Sequence, residues 1–215
     1  MVYDIRLAIA RDPAAPQAAE RFLHRDERRT IARFSRAVGL PRPLPDLLGL
    51  SLRVLDAYGI GLHQDLLLVT SADYPLMHHI FLRALDFQQR PYTRHPLTAP
   101  TTSCSSSLRA QVRSPHPHGG SEFERLDTGA STSRLAFDIA VAAIAGRFRA
   151  LGSVHIGRRL PHQLDALRFN PWNTGGGMEP TGWLNGARDR AYRLSQSAWR
   201  RARRDGAALR GLRAT

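Results

Sequence analysis

The chain has 215 residues, of which 42% are hydrophobic and 23% are charged, a composition typical of a folded globular domain. It has no run of the roughly 18 apolar residues that a membrane helix needs, and no signal-peptide pattern opens it. Its single cysteine, Cys104, excludes a disulfide framework and a thiolate metal site. We therefore expect a cytoplasmic protein without membrane contact.

The formal net charge of +13 comes from arginine alone, because all 31 basic residues are arginine. This bias, beside abundant Ala, Gly and Pro, is typical of GC-rich codon usage and weakens the case for a nucleic-acid partner. The distribution is still uneven, since residues 147–215 carry 14 arginines and 4 acidic residues. A basic C-terminal surface that contacts an acidic partner is therefore one candidate function.

The first 30 residues predict a charged N-terminal segment. An apolar piece at 2–10 is followed by two prolines and then by a stretch at 18–29 with little apolar stripe, which favours a solvated helix. The main domain is predicted to span residues 31–200, with a basic tail at 201–215.

Residues 33–54 predict two strands joined by a stiff loop. Arg33-Phe34-Ser35 has extended character, three prolines between positions 41 and 45 stiffen the connection, and Asp46-x-x-Gly49 opens an alternating segment. Short apolar runs predict two further strands, at 66–70 and 76–82.

Composition changes at about residue 91. Residues 91–132 are rich in Pro, Thr, Ser, His and Arg, which predicts a long disordered loop. Alternation at 135–141 favours a strand, and Gly146 and Gly152 predict a hairpin over residues 147–156.

The C-terminal part predicts a turn and a helix. The glycines at 175–177 allow a sharp turn, and an apolar stripe follows over residues 184–198. Arg188 and Tyr192 lie four residues apart, so they share one side of this helix.

Taken in order, these motifs resemble those of haem-dependent catalases. The matching parts are Arg33-Phe34-Ser35, the Asp46-x-x-Gly49 strand, and a Gly-x-Glu-Pro run at 177–180 before Arg188-x-x-x-Tyr192. The pattern covers residues 31–86 and 135–200 and is similar to the small catalase-like proteins of actinobacteria, which are often labelled phosphodiesterase. The resemblance implies an α+β chain built on an antiparallel β-barrel of the catalase type, with C-terminal helices.

The resemblance also implies haem as cofactor, with a small peroxide as substrate. Tyr192 corresponds to the iron ligand, and the Arg188 cation one turn earlier favours its phenolate form. Arg33 corresponds to a haem-propionate ligand, and Ser35 is carried over beside it as cofactor-binding.

A distal base is harder to assign. Residues 20–24 resemble the motif that carries the distal histidine of catalases, which makes His24 the candidate catalytic base. However, His24 lies nine positions before Arg33, where the family inserts a strand and a helix. An organic peroxidase is therefore the expected activity, and the sequence argues against full catalase activity.

Two alternatives stay open at this point. One is a degenerate barrel without haem that binds an acidic partner through its arginine-rich C-terminal surface. The other is a phosphodiesterase, which would need a metal cluster, and the candidate ligands are His63, Asp65, Asp73, His78 and His79. The sequence leaves the oligomeric state open.

Overall fold

The computed structural model describes residues 1–9, 27–73, 80–98, 105–113, 119–132, 134–143, 147–161, 167–174 and 179–180. In this part of the chain, the elements are β1 (Val2–Ile9), β2 (Glu27–Arg36), β3 (Leu48–Val54), β4 (Gln64–Thr70), β5 (Tyr92–Thr98), β6 (Ser105–Val112), α1 (Glu122–Ser131), β7 (Ala136–Ala143), β8 (Arg149–Arg159) and β9 (Glu179–Pro180). No helix of the described residues is long and apolar enough to cross a membrane.

The first eight strands form a closed antiparallel barrel. Each strand from β1 to β8 pairs with the next one along the chain, and β8 returns to pair with β1. This up-and-down order confirms the predicted antiparallel β-barrel. Closure gives each of the eight strands a partner on both sides, which satisfies most of their backbone hydrogen bonds.

One seam of the barrel is short. β4 and β5 pair at two positions, Val69 with Thr93 and Thr70 with Tyr92, and then diverge. Beyond that point β5 pairs with β9 instead, through Leu97 with Pro180 and Thr98 with Glu179. β9 therefore lies on the same edge of β5 as this seam.

Phe34, the middle residue of the Arg-Phe-Ser motif, lies at the centre of the barrel interior. Its ring centroid is 5.8 Å from that of Tyr3, 5.4 Å from that of Phe87 and 5.8 Å from that of Phe137. An eight-stranded barrel has room inside for side chains and little else. Because successive strand residues face opposite sides, Arg33 and Ser35 lie on the outer face.

The predicted boundary at residue 31 is wrong, because the barrel already includes β1. Tyr3, Ile5 and Leu7 are buried in the core, whereas Asp4 and Arg6 are exposed. Charged residues on the outer positions concealed this alternation. β2 also starts earlier, at Glu27.

The disordered loop predicted for residues 91–132 is also wrong, since β5, β6 and α1 lie there. β6 directs Leu108 and Ala110 into the core, whereas Ser107 and Arg109 take the alternate positions, and its three serines make its composition look polar. α1 begins at an N-cap, Ser121, and buries Leu126 against the core.

The hairpin predicted for residues 147–156 is a single strand, β8. Its register with β7 shifts between Ile139 and Ala140, where Gly152 pairs with Ile139 and Ala150 pairs with Ala140. A glycine inside a strand often marks such a bulge, and here it does not mark a turn.

Two predicted elements lie wholly or partly outside the described residues. The helix expected over 184–198 lies wholly outside them, and most of the strand expected over 76–82 also lies outside them. At the end of that strand, Phe81 forms an isolated bridge with Ser71.

Candidate functional site

The outer face of β2, β3 and β4 forms a surface on which three small residues lie beside an arginine and two aliphatic side chains. The strand registers align two rows across it, Ser35 with Gly49 and Val69, and Arg33 with Ser51 and Leu67. Although these residues point away from the barrel interior, each is buried or half-buried. We call these six residues the outer platform.

Gly49 leaves the outer platform without a side chain in the middle of one row. A Cβ atom at position 49 would lie 2.9 Å from the Ser35 Oγ, which is closer than such atoms approach in proteins. The glycine of the Asp-x-x-Gly motif therefore makes room for the Ser35 hydroxyl on the neighbouring strand.

Arg33 provides the positive charge of the outer platform. Its Nη1 donates a hydrogen bond of 3.0 Å to the Leu167 carbonyl oxygen. This bond fixes one side of the guanidinium, and the fork geometry of arginine allows the remaining N–H groups to bind a planar carboxylate.

Leu167 belongs to a segment, residues 167–174, which we call the strap. Near its start, Arg53 donates to the Arg168 carbonyl at 2.6 Å, and the guanidinium carbon of Arg53 lies 5.1 Å from the centroid of the Phe169 ring. Phe169 is buried, so this contact excludes water and strengthens the cation–π attraction.

Asp65 joins the strap to β3 and β4. Its two carboxylate oxygens each accept a hydrogen bond of 2.7 Å from Arg53, and Oδ2 accepts a further one of 2.8 Å from the Asn170 N–H. Its own backbone N–H donates to the Asn173 carbonyl at 2.8 Å. The fully buried Asp65 carboxylate thus has a cation and an amide as partners, which offsets its desolvation.

Arg94 joins the strap to the opposite side of the seam. From β5, its Nη1 donates to the Asp65 carbonyl at 2.8 Å and its Nη2 donates to the Pro171 carbonyl at 3.3 Å. The strap therefore bonds to β4 where β4 has left β5, and Arg94 spans the gap between the two strands.

The structure brings together two of the residues that the sequence predicted for the site. Arg33 and Ser35 lie two residues apart on the outer face of β2, in adjacent rows of the platform. His24, Arg188 and Tyr192 lie outside the described residues, so their roles stay predictions.

The candidate metal ligands have other partners. Asp65 pairs with Arg53, Asp73 lies 2.8 Å from Arg109, and His63 accepts a hydrogen bond from the Asp56 N–H. His78 and His79 lie outside the described residues. Within the described ranges, no three His, Cys, Asp or Glu side chains are grouped so that they could hold a metal ion.

The sequence did not reveal the strap or the roles of Asp65 and Arg94. One available signal was the turn-forming run Asn170-Pro171-Trp172-Asn173, in which the Asn170 Oδ1 accepts from the Trp172 N–H at 3.1 Å. The partner that such a turn contacts cannot be read from local sequence.

No protein-family model matches this sequence, and no curated protein matches it. Among solved structures, the chain is similar to a bacterial catalase, with a TM-score of 0.56 and 12% sequence identity. The match covers 82% of this chain and 52% of the catalase, so this chain spans about half the length of that protein. The similarity shows a catalase-like barrel fold.

Proposed function

We propose that this chain is a catalase-related haem-binding protein and that the outer platform holds one side of the porphyrin. The observation that carries the proposal is the position of Arg33, beside Ser51 on the outside of a catalase-like barrel. An arginine fork can bind a propionate carboxylate through two parallel hydrogen bonds.

The platform residues fit a flat ligand with an apolar body and acidic groups. Ser35, Gly49 and Ser51 keep its centre shallow, while Leu67 and Val69 add apolar contact area. Arg33 supplies a cation at one side. Haem has the matching combination of a planar apolar ring and two carboxylates.

Tyr192 and Arg188 are the proposed residues on the iron side. A free phenol has a pKa near ~10, and a cation one helical turn away favours the phenolate that binds ferric iron. Bound haem would supply an iron centre that exchanges electrons with a peroxide. The part of the chain is to hold that iron through the Tyr192 oxygen and to anchor a propionate at Arg33.

We propose peroxidase activity on an organic peroxide, with weak catalase activity. Fast dismutation of hydrogen peroxide needs a positioned group that accepts and returns a proton. On the outer platform and the strap, the described side chains include hydroxyl groups but no histidine. His24 is the proposed base, and its short distance in sequence from Arg33 argues against the geometry found in full catalases.

The test is a haem titration of the purified chain beside three variants. We expect a Soret band that saturates at one haem per chain, and a shifted or lost band in Tyr192→Phe, because the iron loses its phenolate. Arg33→Leu should keep the band position and weaken binding by about tenfold or more, the usual effect of losing a charged hydrogen bond. Arg29→Leu is the matched control, since Arg29 is an exposed arginine on the same strand.

Equal haem affinity in Arg33→Leu and Arg29→Leu would contradict the role of Arg33. Absence of a Soret band in every chain would contradict haem binding altogether. The barrel would then be better explained by the acidic-partner alternative, which predicts polyanion binding that weakens steeply as salt concentration rises.

A further inference from the structure

The strap has more polar contacts with the barrel than a surface connection needs. Side chains from three strands, Arg33 on β2, Arg53 on β3 and Arg94 on β5, donate to its carbonyl oxygens. Asp65 on β4 accepts from its backbone at Asn170. Backbone groups of a loop on the surface usually bond to water, so contacts of this number indicate a fixed conformation.

Asp65 is the residue on which these contacts converge. It orients Arg53 through a bidentate pair, and Arg53 in turn holds the Arg168 carbonyl next to Leu167. Leu167 is the strap residue that bonds to Arg33. Asp65 and Arg33 are therefore connected through three hydrogen-bonded steps, although their side chains lie in different rows of the sheet.

We propose that Asp65 is a positioning residue for carboxylate binding at Arg33, and that it acts by holding the strap in the seam between β4 and β5. With the strap docked, the Leu167 carbonyl holds Arg33 in one orientation, so a carboxylate ligand does not have to order that side chain when it binds. Strap docking and carboxylate binding therefore stabilise each other. The ligand part of this inference rests on the proposed haem function, whereas strap docking does not.

Strap docking can be measured without any ligand. The Arg168 carbonyl that Arg53 holds belongs to the Arg168–Phe169 peptide bond, which is a trypsin site. A docked strap resists cleavage, and the cleavage rate follows the undocked population when docking is fast. Mass spectrometry identifies the fragment that ends at Arg168 among the other arginine sites.

Asp65→Asn is the main variant. It keeps the side-chain shape but removes the charge that pairs with Arg53. Its NH₂ group also replaces an oxygen that accepts hydrogen bonds, so a donor faces the N–H groups of Arg53 or Asn170. We expect cleavage at Arg168 to be at least about tenfold faster, as for loss of a buried charged hydrogen bond. Phe169→Ala should act in the same direction from the strap itself, without changing the ion pair in the barrel.

Asp138→Asn is the matched control. Asp138 lies at an outer position of β7 and also pairs with an arginine, Arg113, but both side chains are about half exposed. Its cleavage rate at Arg168 should stay within about twofold of the wild type, because exposed pairs contribute little. Wild-type rates in both Asp65→Asn and Phe169→Ala, with the β-sheet circular dichroism intact, would overturn the docking step.

The coupling step uses haem and haem dimethyl ester as probes. Haem should slow cleavage at Arg168 in the wild type, and the ester, which lacks free carboxylates, should not. Asp65→Asn should weaken haem binding by about tenfold without moving the Soret maximum, and adding it to Arg33→Leu should cause no further loss. Undiminished haem affinity in Asp65→Asn would overturn the positioning role.

The two failures are distinguishable. If no chain binds haem, the proposed function and the coupling step both fail, while the trypsin comparison still decides whether Asp65 holds the strap. If haem binds and the ester protects the strap as well as haem does, the carboxylate link through Arg33 is wrong and haem binding stands.

Discussion

Asp46 sets the conformation of the loop between β2 and β3. Its fully buried carboxylate accepts hydrogen bonds from the backbone N–H groups of Val38, Gly39 and Leu40 at 3.1, 2.8 and 3.0 Å. Arg36 lies 3.3 Å from its Oδ2. Burial raises the pKa of Asp46, but the hydrogen bonds from the N–H groups of Leu40, Val38 and Gly39 together lower this pKa by more than burial raises it. The net pKa shift is therefore downwards.

This pKa shift makes a pH-dependent contribution to stability. A carboxyl group with a lowered folded-state pKa stabilises the fold above its unfolded pKa of about 3.9, and this contribution is lost as pH falls through the folded value. We expect Asp46→Asn to lower the free energy of unfolding by about 1–3 kcal/mol at pH 7. The difference in the free energy of unfolding between the wild type and this variant should decrease below about pH 4. Urea unfolding at pH 7, 5 and 3 measures this difference, with Asp138→Asn as the exposed control. A difference that does not change with pH would contradict the role of the Asp46 carboxylate.

At this scale, the sequence predicted the extended conformation of one motif and missed the alternation of β1. In Arg33-Phe34-Ser35, one apolar residue between two polar ones is enough to place Phe34 in the core and its neighbours outside. It could not predict Asp65 as a partner of Asn170, because these residues lie 105 positions apart. Nothing in the local pattern at either position encodes that contact.

Among the elements, α1 shows how a helix can be hidden in a polar stretch. Its signal was present as a capping box, in which the Glu124 N–H donates to the Ser121 Oγ at 3.3 Å and the Ser121 N–H donates to Glu124 at 2.5 Å. The surrounding Ser, His and Pro residues dominate the composition and favoured disorder. What stabilises α1 is tertiary: the Tyr3 hydroxyl donates to Asp127 at 2.6 Å, and Arg159 pairs with the same carboxylate.

Ser121→Ala tests how much the N-cap of α1 contributes to the free energy of unfolding. Loss of an N-cap side chain leaves a helix N–H without its partner and usually costs about 0.5–2 kcal/mol. We expect a decrease in the free energy of unfolding within that range, measured by urea denaturation. Ser131→Ala is the control at the other end of the helix, where the hydroxyl donates to the Thr128 carbonyl. An equal effect of the two substitutions would contradict a specific role for the cap.

β5 and β6 are strands that their local composition does not predict. β6 contains three consecutive serines, and β5 contains a proline, so neither resembles a strand by propensity. They form because β4 and β7 present unpaired backbone groups on either side, and closure of the barrel satisfies them. Pairing between distant segments here overrides local composition.

For the whole molecule, the barrel is complete before the proposed iron ligand is reached. Every pairing of β1 to β8, the seam contacts of the strap and the β5–β9 pairing involve residues up to Pro180. Tyr192 and Arg188 follow later in the chain. The barrel and the proposed iron ligand are therefore carried by separate parts of the sequence, whereas the proposed propionate contact at Arg33 belongs to the barrel.

A chain truncated after Pro180 separates the two. Because the barrel closes within residues 1–180, we expect this shorter chain to keep its β-sheet circular dichroism and to unfold cooperatively in urea. It should lose the haem spectrum expected of the full chain, as Tyr192→Phe does, because the phenolate oxygen is absent. A truncated chain that keeps the same Soret band would show that the iron ligand lies within the barrel unit, and a non-cooperative one would show that the barrel depends on residues 181–215. The first result would place the iron ligand within residues 1–180. The second would make the barrel and the C-terminal segment one folding unit.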